Sequence, residues 1–131
     1  MMWMTGNTQA NRKVNFEYMQ NCIESPNSQI IINVLDINLQ HCLINTTVHA
    51  NEEEKIINQC IRNNKNKLII IYGKNCCDEN IRKKYKQLVT FGFKNVKIYL
   101  GGLFEWLCLQ DIYSKDKFKT IGDEVDILKY K

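Results

Sequence analysis

Two aliphatic runs constrain this chain more than any other feature: Ile30-Ile31-Ile32-Asn33-Val34-Leu35 and Leu68-Ile69-Ile70-Ile71-Tyr72. Each has strand length and is apolar at nearly every position, whereas a strand with one face in water alternates. Such runs suit strands covered on both faces, as in a parallel sheet packed between helices. Between them, residues 51–62 read as an amphipathic helix. Ile56, Ile57, Cys60 and Ile61 face inward, and three glutamates sit at its N-terminal end, where they complement the helix dipole. At 131 residues the chain has room for one core.

The same alternation runs through the rest of the chain. Residues 1–11 are polar with one Trp and are expected to be a loose tail. Lys13-Val14-Asn15 reads as a short first strand, with Asn15 capping a helix that carries Phe16, Met19 and Ile23 and ends at Ser25-Pro26-Asn27. Residues 36–45 are irregular, and Thr46-Thr47-Val48-His49 is a short strand candidate. After Leu68–Tyr72 comes a loop at residues 73–77. Asp78 then caps a helix running to about Phe91, with Ile81, Tyr85, Leu88 and Val89 on one face and Gly92 as its stop. Residues 96–100 form the next strand, Gly101-Gly102 a tight turn, and residues 103–113 an apolar helix with Trp106 in the core. Val125-Asp126-Ile127-Leu128 is expected to pack back on the domain. The reading is therefore a single α/β domain at 12–113, with a C-terminal extension at 114–131 packed on it. In such sheets the loops at the carboxyl ends of the strands make the binding crevice, which points to the loop after Leu68–Tyr72.

Charge and cysteine content narrow the functional classes. The net charge of +4 is spread among interleaved acids, as in Asn51-Glu52-Glu53-Glu54-Lys55, so it reads as solvated surface and no nucleic acid is expected as a partner. No apolar run approaches the roughly 18–20 residues that span a bilayer, and the N-terminus lacks the pattern of a signal peptide. The six cysteines are accordingly expected as reduced thiols in a cytoplasmic protein (host cytoplasm, if the source is viral). Cys22, Cys60 and Cys108 read as small core hydrophobes. No Cys/His spacing matches a zinc site, His41 and His49 fall in no catalytic constellation, and neither metal nor cofactor is expected. Heavy use of Asn, Lys and Ile suits an AT-rich genome, such as that of a protist or a large DNA virus.

A family resemblance enters with the second half of the chain. The strand–loop–helix at 68–89 is followed by Phe91-Gly92-Phe93-Lys94-Asn95-Val96, a strand, and Gly101-Gly102-Leu103-Phe104-Glu105-Trp106. This resembles the rhodanese-like domain, whose second half reads strand, active loop, helix, Gly-Phe-x-x-Val, strand, Gly-Gly-x-x-x-Trp. Ile31-Ile32-Asn33-Val34 is similar to the family's early Ile-Asp-Val-Arg strand, and residues 43–48 are similar to its His-Ile-Pro-Gly-Ala-Ile stretch. The resemblance implies a parallel sheet of about five strands flanked by helices on both faces. It also implies a loop whose backbone N–H groups form an anion cradle around a persulfide-carrying cysteine, in the pattern Tyr-Cys-x-x-Gly-x-Arg-Ser.

Here that stretch is Tyr72-Gly73-Lys74-Asn75-Cys76-Cys77-Asp78-Glu79. Gly73 holds the nucleophile position, Cys76 the loop-glycine position, and Asp78 a position that is often basic. Upstream, Asn33-Val34-Leu35 removes a charged pair. The resulting expectation is a rhodanese-like binding or regulatory module without the family's sulfurtransferase activity, its partner a protein or a small sulfur-containing anion. Gly73, Lys74, Asn75, Cys76, Cys77 and Asp78 form the candidate anion-binding loop. The rival reading is a divergent sulfurtransferase with Cys76 or Cys77 as persulfide carrier, favoured by the helix start and Lys74 and opposed by Asp78 and Glu79. A phosphatase-like Cys-x5-Arg spacing from Cys76 to Arg82 falls mostly in helix and is not read as a site.

Overall fold

The two aliphatic runs lie side by side at one edge of a parallel sheet. In the computed structural model, which describes residues 12–131, they are β2 (Gln29–Asn33) and β4 (Leu68–Tyr72), paired in register from Gln29 opposite Leu68 to Asn33 opposite Tyr72. The remaining strands of this sheet are β1 (Lys13–Val14) and β5 (Val96–Tyr99), giving the order β1-β5-β4-β2, all parallel. Among the described residues the sheet of about five strands thus has four, with one parallel bridge between Ile31 and Thr47 beyond them. The candidate strand at 46–49 stops there because His49 turns to cap the next helix, its Nδ1 accepting from Asn51 N–H at 3.1 Å. The tail expected at 1–11 lies outside the described residues.

Alternation along β4 sorts the core into two layers. Ile70 and Tyr72 face a cluster with α1 (Phe16–Glu24) and α4 (Gly102–Ile112), through Met19, Cys22, Leu103, Trp106 and Leu107. Ile69 and Ile71 face the opposite cluster, with Ile57 of α2 (Ala50–Asn63) and Ile81 and Leu88 of α3 (Asn80–Thr90). Helices therefore cover both faces, which is why β2 and β4 carry so few polar residues. Asn15 caps α1 as its sequence predicts, accepting from Tyr18 N–H at 2.9 Å. Lys84 and Glu53 join α3 to α2 on the outer surface.

The C-terminal segment runs across the α1/α4 face. Its β6 (Thr120–Ile121) pairs antiparallel with the two-residue β3 (Leu43–Ile44). Phe118 meets Trp106 edge-on at 5.1 Å between ring centroids, and Trp106 Nε1–H donates to the Lys119 carbonyl at 3.0 Å. A 3-10 turn (Ile127–Tyr130) ends the chain with Tyr130 fully buried. Of residues 125–128, only Ile127 packs against the core. Val125 is 96% exposed and Leu128 66% exposed, so aromatic rather than aliphatic residues carry the docking.

Candidate functional site

The loop that follows β4 is held from three sides. Tyr72, the last residue of the strand, is fully buried, and its hydroxyl accepts from Ile44 N–H at 3.0 Å and lies 2.9 Å from Thr47 Oγ1. Burial pushes the Tyr72 phenol above its ordinary range, so it stays a neutral strut. Beyond it, the Gly73 carbonyl accepts from Leu103 N–H at 2.9 Å and the Lys74 carbonyl from Phe104 N–H at 2.8 Å. These loop carbonyls thus satisfy donors in the first turn of α4 that the helix itself leaves unpaired.

The double glycine makes this docking possible. Gly102 has φ +69°, and a Cβ there would stand 2.7 Å from the Gly73 carbonyl oxygen and 2.9 Å from Asn75 N. Only a residue without a side chain lets the loop backbone lie on the helix start in this way. Glu105, in the first turn of α4, accepts from Tyr99 O–H at 2.6 Å, and burial together with that carboxylate raises the Tyr99 phenol far above its usual range.

The third side is internal. Asp78 reaches back across the loop, its Oδ2 accepting from Lys74 N–H at 3.0 Å and its Oδ1 from Asn80 N–H at 3.0 Å. A Cβ on Gly73 would stand 2.5 Å from that same Oδ2. The carboxylate of Asp78 therefore fills the space next to residue 73 from which a side chain would project. The N-cap position of α3 falls on Glu79, which makes no side-chain cap, one residue later than the sequence predicts; Asp78 instead takes the Asn80 N–H from just ahead of the cap and closes the loop.

Asn75 is the second closing residue. Its Oδ1 accepts from Cys77 N–H at 2.8 Å, an Asx turn, and its Nδ2 donates to the Tyr130 carbonyl at 2.8 Å. The C-terminal segment is thereby tied to the loop. A second tie lies near β3, where Glu124 Oε1 sits 2.8 Å from His41 Nε2 and 2.7 Å from Lys129 Nζ. Lys129, His41 and the Asp126 N–H hold the Glu124 carboxyl down to about 2.

The six loop residues singled out in the sequence thus occupy one turn, in different roles. Gly73 is buried, Lys74, Asn75 and Asp78 are half-buried, and Cys76 and Cys77 are exposed at its tip with their sulfurs 3.8 Å apart. Sharing a proton with Cys76 raises the Cys77 thiol above its ordinary value, against the expectation that the helix start and Lys74 would favour a thiolate there. His41 and His49 are engaged elsewhere, in the tail tie and the α2 cap. Among the described residues, no three His, Cys, Asp or Glu side chains converge as a metal site, and no helix is long and apolar enough to cross a membrane.

Composition and periodicity do not single out a second site element. Asn33 and Gln40 form a buried amide pair at the end of β2, Gln40 Nε2–H donating to Asn33 Oδ1 at 2.8 Å and Asn33 Nδ2–H to Gln40 Oε1 at 3.2 Å. Asn33 Oδ1 also accepts from Leu35 N–H, and Gln40 Oε1 from Ala50 N–H, both at 3.0 Å. In the sequence Asn33 shows as a polar residue inside an aliphatic run and as a departure from the resembled Asp-Val-Arg pattern, and nothing there pairs it with Gln40.

Comparison with known proteins finds the same fold elsewhere. The family model described as "Rhodanese-like domain" matches residues 14–108. Among solved structures, the BH2092 protein from Bacillus halodurans superposes with a TM-score of 0.65 at 20% identity, over 88% of this chain and 80% of that one. The Alr3790 protein from Anabaena superposes with a TM-score of 0.59 at 19% identity, over 88% of this chain and 97% of that one. A solution structure described as the rhodanese-like domain of the same Anabaena protein gives 0.58 at 20% identity, over 75% and 74%. At these identities the likeness speaks for the fold alone. No curated protein is similar enough to count as a relative.

Proposed function

Since the chain belongs to the rhodanese-like domain family, we propose that it is a member without the family's sulfurtransferase activity, working as a binding or regulatory module. One observation carries this reading: the Asp78 carboxylate stands where a side chain on residue 73 would have to begin, 2.5 Å from the position of its Cβ. A persulfide at the strand end needs room for Cβ, Sγ and a second sulfur, and a thiolate there would face a carboxylate rather than a cationic or dipolar field.

The loop retains the form of an anion cradle, with Gly73, Lys74, Asn75, Cys76, Cys77 and Asp78 as its residues. Its occupant is its own. The Lys74 and Asn80 N–H groups, which would otherwise greet a substrate anion, donate to Asp78. An internal carboxylate bound this way outcompetes dilute external anions because it carries no cost of association. What stays accessible is the rim rather than the cradle, which suits a surface that binds rather than a pocket that turns over.

The test is direct. The purified chain is incubated with thiosulfate and its intact mass measured, with and without cyanide. The expected result is no added sulfur and no thiocyanate. Sulfur added to the protein and lost in Cys76→Ser or Cys77→Ser would overturn the proposal and establish the rival, a sulfurtransferase with its persulfide on the turn.

A further inference from the structure

The adjacent thiols at the tip of the turn invite a different chemistry from sulfur transfer. Cys76 and Cys77 are the two exposed cysteines among the six; Cys22 and Cys42 are buried, and Cys60 and Cys108 are half-buried. Their sulfurs lie 3.8 Å apart and face each other. Both line a cleft of about 740 Å³ that also presents Arg12, Arg82 and Lys83 around an apolar wall that includes Leu100. That volume is within the range of small-molecule sites, roughly 300–1,000 Å³. Arg12 is held over the Tyr85 ring at 5.5 Å, which fixes one of the cations at the cleft wall.

We propose that Cys76 and Cys77 form a thiol–disulfide exchange site for small disulfides bearing carboxylates, and that its oxidised state is a disulfide between these neighbours. One thiolate attacks a sulfur of the small disulfide, forming a mixed disulfide and releasing one small thiolate. The second cysteine then attacks the protein sulfur of that mixed disulfide and releases the other. The protein loses two protons and two electrons, and the small disulfide gains both as two thiols. The cations of the cleft recognise the carboxylates, while Asp78 is turned into its own loop by Lys74 and Asn80. Glu79 opposes them, leaving the cleft cationic on balance.

Neighbour geometry dictates the character of the oxidised state. Adjacent Cα atoms are about 3.8 Å apart across a trans peptide. Ordinary disulfides span Cα atoms roughly 4.4–6.8 Å apart, and departures store strain that makes the bond easier to reduce. The ring is therefore a readily reversed state, the behaviour of regulatory disulfides rather than structural ones.

The test uses the full chain, fully reduced, in large excess of oxidised glutathione and, separately, of cystamine, the same chemistry with cationic ends. The expected product is the mass of the protein less two hydrogens, with the change on the tryptic peptide 75–82 and no retained glutathione. Closure with oxidised glutathione is expected several-fold faster than with cystamine at low salt, the gap shrinking as salt screens the cleft. Cys76→Ser and Cys77→Ser should each stop at one mixed disulfide. The proposal is overturned by a wild-type chain that stays reduced, by glutathione retained without ring closure, or by cystamine reacting as fast.

Discussion

The chain closes the carboxyl edge of its sheet twice, once at the end of β2 and once at the end of β4, by opposite means. At β2 the closure is neutral and buried: the Asn33–Gln40 amide pair satisfies both side chains and ties in the backbone of Leu35 and Ala50. At β4 the closure is charged and half-open, with the Asp78 carboxylate accepting from the backbone N–H groups of Lys74 and Asn80 while two thiols face solvent. A buried amide pair commits its region to structure, since any change leaves a desolvated donor or acceptor. A carboxylate over a loop can be displaced, protonated or replaced, so that end of the sheet keeps the capacity to respond.

If this contrast is right, the two ends should break differently. Gln40→Ala should have the largest effect, costing about 3 kcal/mol, because Asn33 and the Ala50 N–H lose buried partners together. Urea unfolding would register this as a lower midpoint with an unchanged slope. Gly73→Cys comes next, at about 2 kcal/mol, from the clash with Asp78. Adding Asp78→Ala to that variant should recover at least half of the loss, a coupling read from a double-mutant cycle. The same double variant should take up sulfur from thiosulfate at the introduced thiol, whereas Gly73→Cys alone should not.

Asp78→Asn should cost only about 1 kcal/mol, the scale of a helix cap. The companion change Asp78→Ala should let sulfate shift the Lys74 and Asn80 amide signals, which stay unmoved in the native chain. The smallest effect concerns the tail. Glu124 has its carboxyl lowered from 4.5 to about 2, so its contribution is complete above the unfolded value and fades as pH falls from 4.5 toward 2. Amide protection factors in residues 120–130, with the pH dependence of intrinsic exchange divided out, should fall over that interval.

What could be read from the sequence divides along the same line as the two closures. The aliphatic runs, the helix between them, the Asn15 cap and the Gly101-Gly102 turn depend on local periodicity and local stereochemistry, and each appears in the fold at or near its anticipated place. Gly73 was visible as a departure from a family pattern. What filled the space was not, because the Asp78 contact depends on the path of a five-residue turn rather than on residue type. Asn75 stands in the sequence as one member of the candidate anion-binding loop, with nothing to link it to the Tyr130 carbonyl, and Gln40 lies in an irregular stretch with nothing to pair it with Asn33. The tail misled for a related reason: Val125 and Leu128 are apolar, yet Phe118 and Tyr130 meet the open side of α4.

The tie between Asn75 and Tyr130 also carries a timetable. Its two ends are 55 residues apart in the chain, and the loop carbonyls that rest on α4 wait for Leu103 and Phe104. The β2–β4 pairing, Gln29 with Leu68, spans less chain than the Tyr130 tie and needs neither contact. The tie bears the larger loop-closure entropy, whereas the α4 contacts come late because their helix follows β4 in the chain. On a ribosome, where the chain emerges from its N-terminus, β4 can join β2 while its own following loop still lacks the surface it will rest on. The β2–β4 pair would then be the first part of the sheet to acquire its shape, and the turn at the end of β4 among the last.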